Sequence, residues 1–292
     1  METAAATQVA STNQLLKQLE TLSKTAPIDL LTANLEERKR EELDLHDQMR
    51  DTDHVQSLND RERVQLLGNR KFYWFATDFF NYIQRWIESH ASGKVVLDYA
   101  CGDGLYTIMA ARSGAALAIG IDISGVSVAN AKRDALAAGL QDRTFFLQAD
   151  CENTKLPDSS IDVIICSGML HHLDLSYAFP EMRRILKPGG VILGAEALSY
   201  NPLIKLYRRL TPQMRSKWEA QHILSYRELR FARHFFQVTN VRHFMLMTLW
   251  GFYLPPLLPV FRKIDSLLLS IPLLKLMSWM FTFELRKAED SH

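Results

Sequence analysis

The chain has 292 residues, 47% apolar and 23% charged, a globular mixture that leaves room for one large domain or two small ones. Its formal net charge of +1 gives no global pull toward nucleic acid. The three cysteines, Cys101, Cys151 and Cys166, have no C-x-x-C partner, so neither a disulfide framework nor a zinc site is implied, no metal is expected, and a reducing cytosol is the simplest compartment.

In chain order, residues 1–15 lack a basic start and an apolar run, which excludes a secretory signal. Residues 1–30 are polar and Ala/Thr-rich. One short helical stretch is predicted near 15–22, frayed or loosely packed. Residues 33–50 are dense in charge, with Glu36-Glu37-Arg38-Lys39-Arg40-Glu41-Glu42 at their centre. Opposite signs three and four apart support a solvated helix, with Leu43, Leu45, His46 and Met49 as an inner face. Residues 70–90 start with Arg70 and Lys71 and then turn aromatic, through Phe72, Tyr73, Trp74, Phe75, Phe79, Phe80, Tyr82 and Trp86. They predict a helix buried on most sides. Strands alternating with helices then run to residue 196, which predicts a parallel sheet wound on both faces.

The most informative stretch is 95–104, Val-Val-Leu-Asp-Tyr-Ala-Cys-Gly-Asp-Gly. It reads as a buried strand ending in an acid and a glycine turn, where the backbone can approach a ligand closely. Twenty-four residues after Asp98, the strand at 117–121 ends in Asp122. An acid at that place suits ribose hydroxyls. After Gly102 and Gly104 the third glycine of a dinucleotide fingerprint is missing, and no Gly-Lys-Ser/Thr follows, which excludes a P-loop. Asp98 would repel a pyrophosphate and attract an ammonium group. An amino acid joined to a nucleoside, S-adenosylmethionine (SAM), fits both ends.

The pattern Asp98-x-x-Cys101-Gly102-x-Gly104 resembles the first motif of the class I SAM-dependent methyltransferases, of the type 11/25 kind. Four further stretches agree in order and spacing. They are Gly120-Ile121-Asp122-Ile123-Ser124, Gln148-Ala149-Asp150-Cys151, the run from Ile161 through Ser167-Gly168-Met169-Leu170 to His171-His172, and Leu186-Lys187-Pro188-Gly189-Gly190. The resemblance covers residues 70–200. It implies an α/β fold, a doubly wound, mostly parallel Rossmann-like sheet, with SAM as cofactor. It implies Asp98 at the methionine ammonium, Gly102 and Gly104 beside it, and Asp122 on the ribose hydroxyls. Ile123 would lie against the adenine, Asp150 on its amino group with Cys151 beside it, and Ser167 near the sulfonium. With Ala100, these nine are the expected cofactor-binding residues. His171 and His172 follow the fourth strand. Either could act as a general base, and packing roles stand beside that reading. Glu42-x-x-x-His46-Asp47 and the stretch ending in Tyr73 resemble lid elements of some bacterial members, so His46 and Tyr73 are lid candidates.

The C-terminal third departs from a minimal member. The sheet is expected to close with antiparallel strands at 237–245 and 279–286, separated by an apolar insert at 249–277. Pro255, Pro256, Pro259 and Pro272 interrupt the insert, so it is too broken to span a bilayer. An interfacial, lid or dimer role remains. Residues 201–210 predict a basic amphipathic helix with Lys205, Arg208 and Arg209. The organisation expected is a tail and helical lid at 1–69, a SAM-binding core at 70–200, and a closing, substrate-facing region at 201–292 within the same domain. The function expected is methyl transfer to a small, lipophilic acceptor (a lipid, isoprenoid or quinone-like molecule). The alternative is a non-catalytic SAM-binding subunit. Nucleic acid is not expected as a partner, because the Asn/Asp-Pro-Pro-Tyr/Phe signature is absent and Ser167-Gly168-Met169-Leu170 stands in its place. The expected location is cytoplasmic, with membrane-surface contact through 249–277 as an option. The oligomeric state is not legible.

Overall fold

The computed structural model describes residues 2–25, 35–67, 74–212 and 216–289. Helices α1 (Glu2–Thr25), α2 (Glu37–Arg50), α3 (Thr52–Ser57), α4 (Asp60–Leu67) and α5 (Thr77–His90) precede the sheet. Alternation follows with β1 (Val95–Tyr99), α6 (Leu105–Arg112), β2 (Leu117–Asp122), α7 (Gly125–Ala137), β3 (Thr144–Gln148), β4 (Ile161–Ser167), α8 (Leu175–Ile185) and β5 (Leu186–Ala197). The chain ends with α9 (Pro202–Leu210), α10 (Lys217–His222), α11 (Tyr226–Ala232), β6 (Gln237–Phe244), α12 (Leu258–Leu268), α13 (Pro272–Lys275) and β7 (Met280–Arg286).

The seven strands form one sheet in the order β3-β2-β1-β4-β5-β7-β6. Strands β1 to β5 pair in parallel, and β7 runs antiparallel to both β5 and β6. This is the doubly wound, mostly parallel sheet that the strand alternation predicts. Strands β1 and β2 are buried along their whole length, as strands covered on both faces must be. Side chains alternate between faces. Leu97, Tyr99, Ile119 and Ile164 belong to one layer, and Val96, Ala118, Val163 and Ile165 to the other. The second layer is closed by α5, whose Phe79, Ile83, Trp86 and Ile87 recur at helical spacing on its buried face. Trp86 donates its indole N–H to Glu284 at 2.9 Å, which gives that buried carboxylate a partner.

Helix α1 corrects the expectation of a frayed terminus. It runs for 24 residues, and Leu15 and Leu19 are buried in the first core layer. Polar composition hid a narrow apolar stripe, because two leucines one turn apart suffice to dock a helix on a strand.

The order of strands reverses between β1 and β4, and the crevice at the carboxyl ends of these strands is where open α/β sheets bind ligands. Helix α9 leaves the same edge, since it follows β5. The insert between β6 and β7 emerges there too, because Ala197 at the end of β5 pairs with Met280 at the start of β7. Asp265 of α12 anchors the insert. Its buried carboxylate accepts backbone N–H bonds from Leu246, Met247 and Thr248 and a bond from the Thr248 hydroxyl. Among the described residues no helix is long and apolar enough to cross a membrane.

Candidate functional site

The turn after β1 sets the floor of the crevice. Gly104 has φ 77° and caps α6, and a Cβ there would lie 2.9 Å from Ala131 and Phe146. Only glycine allows that hand and that approach. Behind it, Asp98 accepts from the Thr107 N–H and hydroxyl, both at 2.9 Å. Burial pushes the Asp98 carboxyl up to about 7, against those two bonds. At the end of β2, Asp122 accepts from Gly102 N at 2.8 Å and from Ser124 N at 2.9 Å. Burial also raises its pKa.

A cavity of about 130 Å³ opens at this edge, lined among others by Ala100, Asp122, Ile123, Asp150, Cys151, Ser167 and His172. Six of the nine cofactor residues expected from the sequence therefore meet on one wall. Asp98, Gly102 and Gly104 lie behind it. His46 lines the cavity from the opposite side, and Tyr73 lies outside the described residues.

The opposite wall is α2, which contributes Arg38, Lys39, Glu42, His46 and Arg50. The sequence predicts a solvated charged helix with an apolar inner face. Leu43 is buried and Leu45, His46 and Met49 are half-buried, and a polar stripe also faces the sheet, because the strand ends supply carboxylates to pair with it. Lys39 Nζ sits 2.6 Å from Asp150 Oδ2 and 2.8 Å from Glu152 Oε2. Burial opposes the Lys39 charge, but these two carboxylates outweigh it and its pKa is raised. Arg38 grips Glu152 with bonds of 2.8 and 2.9 Å and donates to the His172 carbonyl at 2.9 Å. Arg50 pairs with Asp103 at 2.6 Å, and its guanidinium would lie 2.6 Å from a Cβ on Gly102. Asp47 accepts from the Ser124 hydroxyl. The signal was present in the sequence as Arg38, Glu42, His46 and Arg50, each four residues after the last.

The two histidines separate. His171 Nδ1 lies 2.7 Å from Glu196 Oε2, and Glu196 Oε1 accepts from Met169 N and Leu170 N at 2.8 and 2.7 Å. Glu196 is fully buried at the end of β5, and no sequence motif singled it out. His171 is thus tied to the turn that follows β4 and is not on the cavity wall. His172 is on it, with Nδ1 2.8 Å from Glu42 Oε2. Burial disfavours the His172 charge, and Glu42 outweighs burial, so its pKa is raised. Glu42 is lowered correspondingly, burial notwithstanding, by His172 and the Ser216 hydroxyl. Burial and the His172 charge lower His46.

A family model described as a methyltransferase domain matches residues 96–190, the segment that builds the floor and far wall of this cavity. The chain carries a class I SAM-dependent methyltransferase domain. The methyltransferase domain is similar to the probable protein arginine N-methyltransferase 6 of Arabidopsis thaliana, 36% identical over 117 residues, which are 39% of this chain and 26% of that protein. It is also similar to the 27-O-demethylrifamycin SV methyltransferase of Amycolatopsis mediterranei (strain S699), 35% identical over 100 residues, 34% of this chain and 37% of that protein. The chain thus spans about a quarter to two fifths of the length of these curated relatives. In fold, the methyltransferase domain is similar to a geranyl diphosphate methyltransferase in complex with geranyl diphosphate and sinefungin. The TM-score is 0.53 and the identity 17%, over 71% of this chain and 78% of that one. Helix α2 lies beyond the family match, and it supplies five of the fifteen residues that line the cavity.

Proposed function

We propose that this protein transfers the methyl group of SAM to a small, lipophilic acceptor. The observation that carries the reading is the meeting of Asp122, Asp150 and Ser167, from three strand ends, on one cavity at the switch point of the sheet. The residues fit the cofactor. Two carboxylates, one buried and one half-buried, stand at or just past the ends of adjacent strands, suited to ribose hydroxyls and to an adenine amino group. Arg50 Nε is buried without a hydrogen-bond partner, beside Gly102, and suits the carboxylate of a methionine moiety. When bound, SAM supplies a methyl group already activated for direct displacement.

The chain's own residues then have separate tasks. Asp122 and Asp150 orient the nucleoside, and Asp98 offers a carboxylate toward the ammonium side. Lys39 and Arg50 hold α2 down, which excludes water from the reacting atoms. At about 130 Å³ the cavity is smaller than the roughly 300–1,000 Å³ of typical ligand pockets, so α2 must lift for entry. Of the two histidines, His172 is the one that faces the cavity and is in place to hold a proton taken from the acceptor. His171 fixes the turn that presents it.

The lipophilic acceptor is supported by apolar surface at the same edge. Leu203, Leu206 and Leu210 form an exposed row on α9, and Trp250, Tyr253, Leu254 and Leu257 are exposed on the insert. Exposed Lys205, Arg209 and Lys263 lie among them, an arrangement suited to an anionic membrane surface. The test is mass spectrometry of cell extract incubated with protein and SAM. A gain of one methyl group in the lipid fraction supports the reading. A gain confined to protein or to water-soluble metabolites contradicts the lipophilic acceptor and leaves methyl transfer standing.

A further inference from the structure

Glu42 and His46 are four residues apart on α2, so they share one face of the helix. His172 comes to them from the short turn Leu170–His172 that follows β4. Glu42 Oε2 is 2.8 Å from His172 Nδ1 and 3.8 Å from His46 Nε2, and the three donor atoms all lie within 4.8 Å of one another. The Glu42 side chain is 7% exposed. Glu42 Oε2 and His172 Nδ1 are both buried, and neither has a hydrogen-bond partner. They sit close enough for an ion pair but off the angle of a hydrogen bond. A buried ion pair in poor hydrogen-bond geometry is only partly satisfied, and a cation held by both groups, after they part by about half an ångström, satisfies both.

The surroundings favour a cation. Every neighbouring positive side chain of α2 is committed elsewhere, Arg38 and Lys39 to Glu152 and Asp150, and Arg50 to Asp103. The second oxygen of Glu42 accepts from the Ser216 hydroxyl, and the His172 carbonyl accepts from Arg38. Such outer partners orient metal ligands. Two imidazoles and a carboxylate form a donor set for zinc and similar divalent ions, at metal–ligand lengths of roughly 2.0–2.2 Å. In a tetrahedral site these lengths put donors roughly 3.3–3.5 Å apart, and the two separations of 2.8 and 3.8 Å bracket that value.

We infer that Glu42, His46 and His172 form a binding site for one divalent transition-metal ion of the zinc class. Two ligands come from the helix that covers the cavity and one from its floor, so the bound ion ties α2 to the floor, and α2 lifts for entry only when a ligand or the ion is released. All three residues line the cavity, which leaves the fourth coordination position open to it. That position takes water or an oxygen of the acceptor, and with the ion bound His172 serves as a ligand in place of the proton acceptor; this use rests on the methyltransferase reading, whereas the site itself does not.

The test uses the full chain, stripped with chelator and re-equilibrated with Zn²⁺ alone. Metal content is read by elemental analysis, and Co²⁺ is substituted to read the visible bands of a four-coordinate site. The expected result is one equivalent retained, with Glu42→Gln and His46→Asn each weakening Zn²⁺ binding by at least about 10–100-fold, the loss that removal of a ligand's hydrogen-bond partner alone brings. Circular dichroism and SAM titration on the same samples separate loss of the site from loss of the fold or of the cofactor reading. A neighbouring group, His171, His172 and Glu219, provides the control. His171→Asn and Glu219→Gln should retain the metal. Wild-type protein that keeps no stoichiometric Zn²⁺ overturns the assignment. So does binding unchanged in the Glu42 and His46 variants, or binding lost only in the His171 and Glu219 variants.

Discussion

Asp122 has the most to lose at the scale of single residues. Replacing it with alanine removes a charged acceptor from two ribose hydroxyls, each worth roughly 1.5–3 kcal/mol at most, so SAM affinity should fall by a few kcal/mol in titration calorimetry. Unchanged affinity would refute the ribose assignment. Arg50→Met should cost about 1.5–3 kcal/mol of the same binding, through the lost charged donor. Asp98 makes a pH-dependent prediction. Its folded pKa, about 7, lies above the ordinary carboxylate value of 3.8. The folded state therefore holds a proton that the unfolded state gives up, and stability falls as pH rises between those values, by at most about 1.4 kcal/mol per unit. Asp98→Asn carries no such charge. Denaturant unfolding should show the variant gaining on the wild type from pH 5 to pH 8, and a gap that does not change with pH would refute the burial argument.

Elements differ in how openly the sequence announces them. Strands β1, β2 and β4 are mainly apolar runs closed by acid, glycine or serine, and Asp122 and Ser167 among those closing residues line the cavity, so both strand and cavity wall were legible. Helix α2 was legible as a helix but not as a wall. Its charges look solvated until the carboxylates of Asp150, Glu152 and Asp103 are seen opposite them, and those lie far along the chain. Glu196 was hidden for the same reason, since a glutamate inside a strand announces nothing until His171 folds onto it. Likewise, choosing between His171 and His172 needed the direction of each ring. The insert gives an element-scale prediction. Asp265 holds it down with four accepted bonds, so Asp265→Ala leaves buried donors unpaired and should cost about 2–4 kcal/mol of stability in urea. A loss below about 0.5 kcal/mol, the level of an ordinary surface substitution, would show that the insert is held by its apolar contacts alone.

The whole molecule presents two faces. One end of the sheet carries the cavity, helix α2 along its wall, the apolar row on α9 and the insert, and an acceptor delivered from a membrane would meet all of them together. Full-length protein should co-sediment with vesicles rich in anionic lipid. Replacing Leu203, Leu206 and Leu210 with serine should weaken that binding by several-fold, while SAM affinity stays as it was. Protein that stays in the supernatant with every vesicle composition would contradict membrane contact but leave the cavity untouched. The most direct measurement is the formation of S-adenosylhomocysteine from SAM in the presence of cell lipid extract. The wild type should form it in step with a methylated product, and Asp122→Ala should slow it by roughly 10²-fold or more at limiting SAM, as the loss of a few kcal/mol of cofactor binding requires. Protein that binds SAM but forms no S-adenosylhomocysteine with any extract fraction would contradict methyl transfer.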